Sequence, residues 1–261
     1  LSAYGFVKVP QCAMSFVIAV AGKGGTGKTT LASLLISLLA KRKQGAVLGI
    51  DADPNSNLAE AFGLKVKEDI GSIVDSVAKN LSAIPVGMTK DAYIDFRIQT
   101  AILEEGGFDI LTMGRPEGPG CYCYVNNLLR GLIKRLSDSY AYIVIDNEAG
   151  FEHLSRRTMR RADRLLLVSD ASEAGLRAVK RIADLVKELE FEIKGISLVL
   201  NRTNEILLND KINGLGLGTF SVIAEDEELL DLSRQGKPIT YLNESSGAYV
   251  EVKKMLEEIL G

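Results

Sequence analysis

Residues 22–30, GKGGTGKTT, follow an apolar run at 16–21 and lead straight into a segment of helical apolar spacing at 28–42. Four glycines within six residues let the backbone turn so tightly that successive N–H groups converge. The helix behind them adds positive potential at its first turn. A strand, a glycine-rich turn and a helix in that order make a cradle for an anion. The spacing, Gly22, four residues, then Gly27, Lys28 and Thr29, is that of a Walker A loop around a nucleoside triphosphate, and it predicts Gly22, Gly24, Gly25, Thr26, Gly27, Lys28, Thr29 and Thr30 as the binding set. Lys28 is placed to reach the β- and γ-phosphates, and Thr29 to hold Mg2+.

The rest of the chain alternates in the same way. Short apolar, β-branched runs lie at 16–21, 46–51, 108–113, 142–146, 165–168, 196–201 and 219–223, and they hardly alternate with polar residues, as strands buried on both faces should not. Helical patterns occupy 28–42, 91–105, 126–136, 175–189 and 248–260. This order predicts an α/β fold with a doubly wound, mainly parallel sheet, its ligands gathered at the carboxyl ends of the strands. One P-loop domain over 14–261 accommodates it, with 1–13 read as a non-native or disordered extension. The net charge of −3 speaks against a nucleic-acid surface, and no apolar run is long enough to span a bilayer, so the reading is a cytoplasmic protein acting on neither DNA nor membrane.

Three strand ends carry polar groups. The segment 46–57, AVLGIDADPNSN, puts Asp51 and Asp53 after a strand; a carboxylate there can position a water for in-line attack on a γ-phosphate, which suits Asp53, while Asp51 can support the Mg2+ shell. The other reading of Asp53 is the N-cap of a helix opening near Pro54. In YIVIDNEAG, 142–150, Asp146 ends a buried strand where an unpaired carboxylate is costly, so a Mg2+-bound water is its natural partner, and Gly150 lets a backbone N–H approach the γ-phosphate. Asn201 closes the strand in LVLNR, either in a turn or at a base. Lys23, within the loop itself, has no packing role there and must be solvated or reach outward.

GRPEGPGCYCYVNN, 114–127, places Cys121 and Cys123 in what reads as a Gly/Pro-rich loop. A disulfide across one residue is strained, and a reducing compartment disfavours it. The thiolates suit Zn2+, Ni2+ or Cu+, although two ligands leave a tetrahedral site half built. Two cysteines packed as small hydrophobes are the alternative.

The lysine-rich loop resembles that of the deviant Walker A ATPases, the group of MinD, ParA, the arsenite-pump ATPase and the nitrogenase iron protein. Together CYCYVNN and DNEAGFEHLSRRT resemble the carbon monoxide dehydrogenase accessory protein family, CooC, and its relative the acetyl-CoA synthase accessory ATPase. That resemblance implies ATP as the nucleotide, adenine contacted by Asn201, and a homodimer in which Lys23 crosses to the partner's nucleotide. It further implies Cys121 and Cys123 of two subunits sharing one Ni2+ or Zn2+, and delivery of nickel to apo carbon monoxide dehydrogenase or acetyl-CoA synthase. Ala224 stands where such relatives carry Pro, and His153 matches the family string without a chemical role. The competing readings are a ParA- or MinD-like positioning ATPase on DNA or membrane, and an electron donor with a bridging iron–sulfur cluster. Against the first, the mixed charge of YVEVKKMLEEIL, 249–260, suits a core helix better than a membrane one.

Overall fold

The computed structural model describes residues 15–115, 121–148, 161–203, 212, 215, 217 and 219–261. Ten strands and eight helices are named from these: β1 Phe16–Gly22, α1 Lys28–Arg42, β2 Val47–Ala52, α2 Leu58–Ala61, α3 Ile70–Lys79, α4 Lys90–Ala101, β3 Leu103–Glu104, β4 Asp109–Thr112, α5 Cys121–Leu136, β5 Tyr142–Asn147, β6 Arg161–Ala162, β7 Arg164–Ser169, α6 Glu173–Glu188, β8 Glu192–Ile193, β9 Ile196–Asn201, β10 Thr219–Ile223, α7 Glu227–Arg234 and α8 Gly247–Leu260. Eight strands form one sheet in the order β10-β9-β7-β1-β5-β2-β4-β3. All its pairs are parallel except β3 with β4.

The near-continuous apolar strands are explained by burial on both sides. Val17, Ala19 and Ala21 of β1 face a core shared with α3, α4, α5 and α6. Ile18 and Val20 face the opposite core, built with α1, α2 and α8. Because strand residues alternate faces, each strand needs apolar side chains at every position. All seven expected strands are present. The terminal helix α8 buries Tyr249, Val252, Met255, Leu256 and Ile259 against the sheet, and no helix among the described residues is long and apolar enough to cross a membrane.

Some expectations change. The helical pattern at 91–105 stops at Ala101, because the chain must reverse: Gly107 at φ +131° makes the turn from which β4 runs back antiparallel to β3. The sequence reading also passed over α3, whose Asp69 and Ser72 form a reciprocal capping box, and α7, which Asp226 caps through Leu229 N–H.

Candidate functional site

β1 runs between β5 and β7 at the centre of the sheet and ends at Gly22, where the loop leaves it. Gly22 has φ +152°, and a Cβ there would sit 2.1 Å from the carbonyl oxygen of Val168 on β7. The loop can therefore start so close to its neighbour only with glycine at this position. Gly27 closes it as the left-handed N-cap of α1 at φ +91°. Gly24 and Gly25 are exposed, while Thr26 is buried and donates its hydroxyl to the Lys23 carbonyl at 2.9 Å. The Lys28 ammonium, on a side chain in a residue only 7% exposed, donates to the same carbonyl at 3.3 Å. Its burial lowers its pKa, and Asp146, Asp53 and Glu148 oppose that shift. Lys23 is exposed and Thr30 half-buried.

Asp146 and Asp51 are register partners on neighbouring strands, and both are buried. They are used differently. Asp51 gives one oxygen to Asp53 N–H at 3.1 Å and the other to Leu58 N–H at 2.8 Å, so it ties the end of β2 to the start of α2. Asp146 accepts from the Thr29 hydroxyl at 2.6 Å, and its second oxygen, Oδ1, is buried without a hydrogen-bond partner among the described residues. An orphaned buried carboxylate oxygen beside a threonine hydroxyl fits a hard divalent cation. Thr29 and Asp146 are the residues here that would hold Mg2+, directly or through its waters. Asp53 is half-buried and accepts from Asn55 N–H and Nδ2 at 2.8 and 2.9 Å. It is not the cap of a helix near Pro54, because α2 opens only at Leu58 and it is Asp51 that binds Leu58 N–H.

Burial, the largest cause, pushes the Asp51 carboxyl up to about 7 and the Asp146 carboxyl to about 6. Both lie above the ordinary carboxylate value, so the folded chain holds these protons more tightly than the unfolded chain. Their contribution favours the fold at low pH and is lost as pH rises towards 6 and 7. Mg2+ competes with the proton on Asp146. Affinity for Mg2+-nucleotide is thus expected to rise about tenfold from pH 5 to pH 7; calorimetric titration across that range checks it, and a flat profile would place the metal elsewhere.

Asn201, expected in a turn or at a base, is hydrogen-bonded to the loop. Its Nδ2 donates to the Thr26 carbonyl at 2.8 Å, and a Cβ on Gly27 would lie 2.3 Å from that nitrogen. Beside it opens a cavity of about 150 Å3, bounded by Thr30, Ser33, Asn201, Asp226 and Lys237. Asn201→Ala should weaken nucleotide binding about fivefold by freeing the loop, since one net hydrogen bond is worth about 1 kcal/mol; a titration with a labelled nucleotide reads it directly. Two residues were missed in the sequence. Arg202, at φ +57°, donates to the Gly25 carbonyl at 3.4 Å. Asn147, fully buried, donates from Nδ2 to Val20 O at 2.9 Å, pinning the Asp146 strand to the root of the loop. A polar residue following the acid of a buried strand was the only signal for the second.

Gly150 and His153 lie outside the described residues. Cys121 and Cys123 do not occupy a loop: α5 begins at Cys121, so the pair forms the first turn of a helix, although their side chains are outside those described. The helix reaches back this far because Val125, Leu129 and Leu132 set a 3.6-residue apolar spacing against the core. The Gly/Pro signal ends at Gly120. Tyr124 holds this turn to α4 by donating to Asp91 at 3.2 Å. Among the described residues no three metal-binding side chains cluster.

The geometry agrees with comparisons to known proteins. Residues 17–239 match the CobQ/CobB/MinD/ParA nucleotide binding domain. An uncharacterized ATP-binding protein of Methanocaldococcus jannaschii is 41% identical over 94% of this chain and 98% of its own. The carbon monoxide dehydrogenase accessory protein CooC of Rhodospirillum rubrum is 30% identical over 71% of this chain and 73% of its own. The cell division ATPase MinD of Pyrococcus furiosus superimposes with a TM-score of 0.73 at 23% identity, covering 95% of this chain and 99% of that one. The chain thus belongs to the CobQ/CobB/MinD/ParA nucleotide-binding family and is a P-loop ATPase with the MinD/ParA fold.

Proposed function

We propose that the chain is an ATP-driven metal-delivery factor of the CooC kind, acting in the cytoplasm as a homodimer that inserts nickel into apo carbon monoxide dehydrogenase or acetyl-CoA synthase. The observation that carries this is the Cys121–Cys123 pair at the start of α5. β4 ends on the edge of the sheet where β1 delivers the phosphate loop, so the segment leading to the cysteines leaves from the nucleotide edge. Two thiolates per chain complete a four-sulfur site only when two copies meet. The exposed Lys23 supplies a group that can cross to a second copy's nucleotide. The CooC relative supports the same reading.

In each copy, Gly22 to Thr30 wrap the phosphates, Lys28 counters the charge on the β- and γ-phosphates, and Asp53 orients the attacking water. Thr29 and Asp146 would hold Mg2+, which would supply neutralisation of the charge that develops on the transferring phosphoryl group. Closure by ATP and closure by metal favour one dimeric state, so each should strengthen the other. Equilibrium dialysis with Ni2+ or Zn2+ should give one ion per two chains and about tenfold tighter binding with a non-hydrolysable ATP analogue, within the range of such couplings. Cys121→Ser with Cys123→Ser should abolish the metal binding and keep the nucleotide. One ion per chain, or no coupling, overturns the proposal.

The second reading, a MinD- or ParA-like positioning ATPase, is favoured by relatives such as the septum site-determining protein MinD of Thermotoga maritima, 27% identical over 94% of this chain. The acidic balance and the buried apolar face of α8 count against it. ATP-dependent co-sedimentation with anionic vesicles or DNA would establish it.

A further inference from the structure

At the end of the sheet opposite the phosphate loop, a cavity of about 420 Å3 opens beneath the last turns of α8, where β7, β9 and β10 begin. Its apolar wall is made by Ile196, Met255 and Ile259. Its volume lies within the range of small-molecule sites, and no step of nucleotide binding uses it.

The informative residue is Arg164, the half-buried first residue of β7. Its guanidinium lies across the backbone of Gly195: a Cβ there would be 1.9 Å from Nη1 and 3.1 Å from Cζ. Gly195 is not in the left-handed region, so the turn does not demand glycine. What the absent side chain provides is room for the guanidinium. Among the described residues no carboxylate pairs with Arg164, whereas the neighbouring Lys194 is held at 2.6 Å by the buried Asp163. Lys187 adds a further exposed cation, and Glu258 is the one acid among the described lining residues. A planar five-donor cation, partly desolvated and unpaired, selects a carboxylate or phosphate. The Ser221 hydroxyl offers another donor in the same cavity.

We propose that this cavity binds a small amphiphilic anion, a carboxylate or phosphate monoester on an apolar chain, with its head group on Arg164 and Ser221 and its body against Ile196, Met255 and Ile259. The partial enclosure by α8 favours a free molecule over a lipid held in a bilayer.

Titration of the full chain with octanoate, octyl phosphate, 1-octanol and inorganic phosphate tests this, read by calorimetry and by the amide resonances of Gly195 and Ser221. The two amphiphilic anions should bind saturably, one per chain, with shifts centred on those amides. Octanol and inorganic phosphate should bind at least about tenfold more weakly, as expected for loss of a charge-assisted hydrogen bond or of the apolar contact. Arg164→Gln, and Gly195→Ala, which displaces the guanidinium without removing its charge, should each weaken octanoate by about tenfold or more and leave ATP hydrolysis at the wild-type rate. A guanidinium beneath a helix C-terminus also has a purely structural use. If Arg164→Gln lowers the melting temperature but binds octanoate like the wild type, the proposal fails. It fails equally if octanol binds as well as octanoate, or if only anionic vesicles, and no free anion, engage the site.

Discussion

Replacement of Asp146 by asparagine should lower Mg2+-dependent ATP hydrolysis at least about a hundredfold, the scale expected when an electrostatic contact to the transferring phosphoryl group is lost. Asp146 is 1% exposed, and among the described residues its one side-chain hydrogen-bond partner is the Thr29 hydroxyl, from which an amide oxygen can still accept. The fold therefore has little reason to suffer. Burial already holds the carboxyl at about 6, so the neutral amide removes a desolvated charge at neutral pH and should raise the melting temperature of the metal-free protein. The informative result is the combination: the variant is as stable as the wild type or more so without metal, gains nothing in melting temperature from Mg2+-nucleotide, and does not hydrolyse. Retained hydrolysis would mean that Mg2+ is held by other groups; lost stability would mean that the carboxylate is structural.

Gly22→Ala should be the most damaging single methyl in the loop. The added Cβ would meet Val168 O at 2.1 Å, with Val168 C and N at 3.1 and 3.2 Å. All three are backbone atoms of β7, a strand packed between β1 and β9. Nothing there is a flexible side-chain end that could swing aside, so two central strands must separate or the loop must be rebuilt. A cost of about 3 kcal/mol or more is expected, or about 6–12 °C in melting temperature for a chain of this size. Gly25→Ala is the control. Gly25 has φ +79° with nothing within 4 Å of its would-be Cβ, so it carries only the left-handed penalty of about 1–2 kcal/mol. Equal stability of the two variants in urea melts would refute the steric argument.

The ease with which the fold could be read from the sequence has a plain cause. β1, β2, β5, β7 and β9 are covered on both faces, so each had to be written as an unbroken apolar run, and the runs of β1 and β7 lead into α1 and α6, helices long enough to cover a face. Elements with weaker patterns were lost. β3 is two residues of edge strand fixed by the Gly107 turn, and α3 is announced only by its capping box at Asp69 and Ser72. The start of α5 was misread because Gly and Pro just upstream mask a helix whose apolar spacing begins at Val125.

The site divides along the same line. Lys28, Thr29, Asp53 and Asp146 could be proposed from the sequence because a loop that surrounds phosphate needs such side chains at fixed offsets from strand ends. The sequence could not show that Asp51 would spend both oxygens on the Asp53 and Leu58 N–H groups, that Asn201 would bond Thr26 across 175 positions, or that Gly195 would make way for Arg164. Sequence by itself determined the strand–loop–helix unit and the parallel sheet, both of which follow from local periodicity and short-range spacing. Only the tertiary structure decided which of two adjacent buried carboxylates keeps an open oxygen and where an unpaired cation lies. Those outcomes depend on which backbone donors and acceptors the packing brings within about 3 Å, and chain order does not encode such distances.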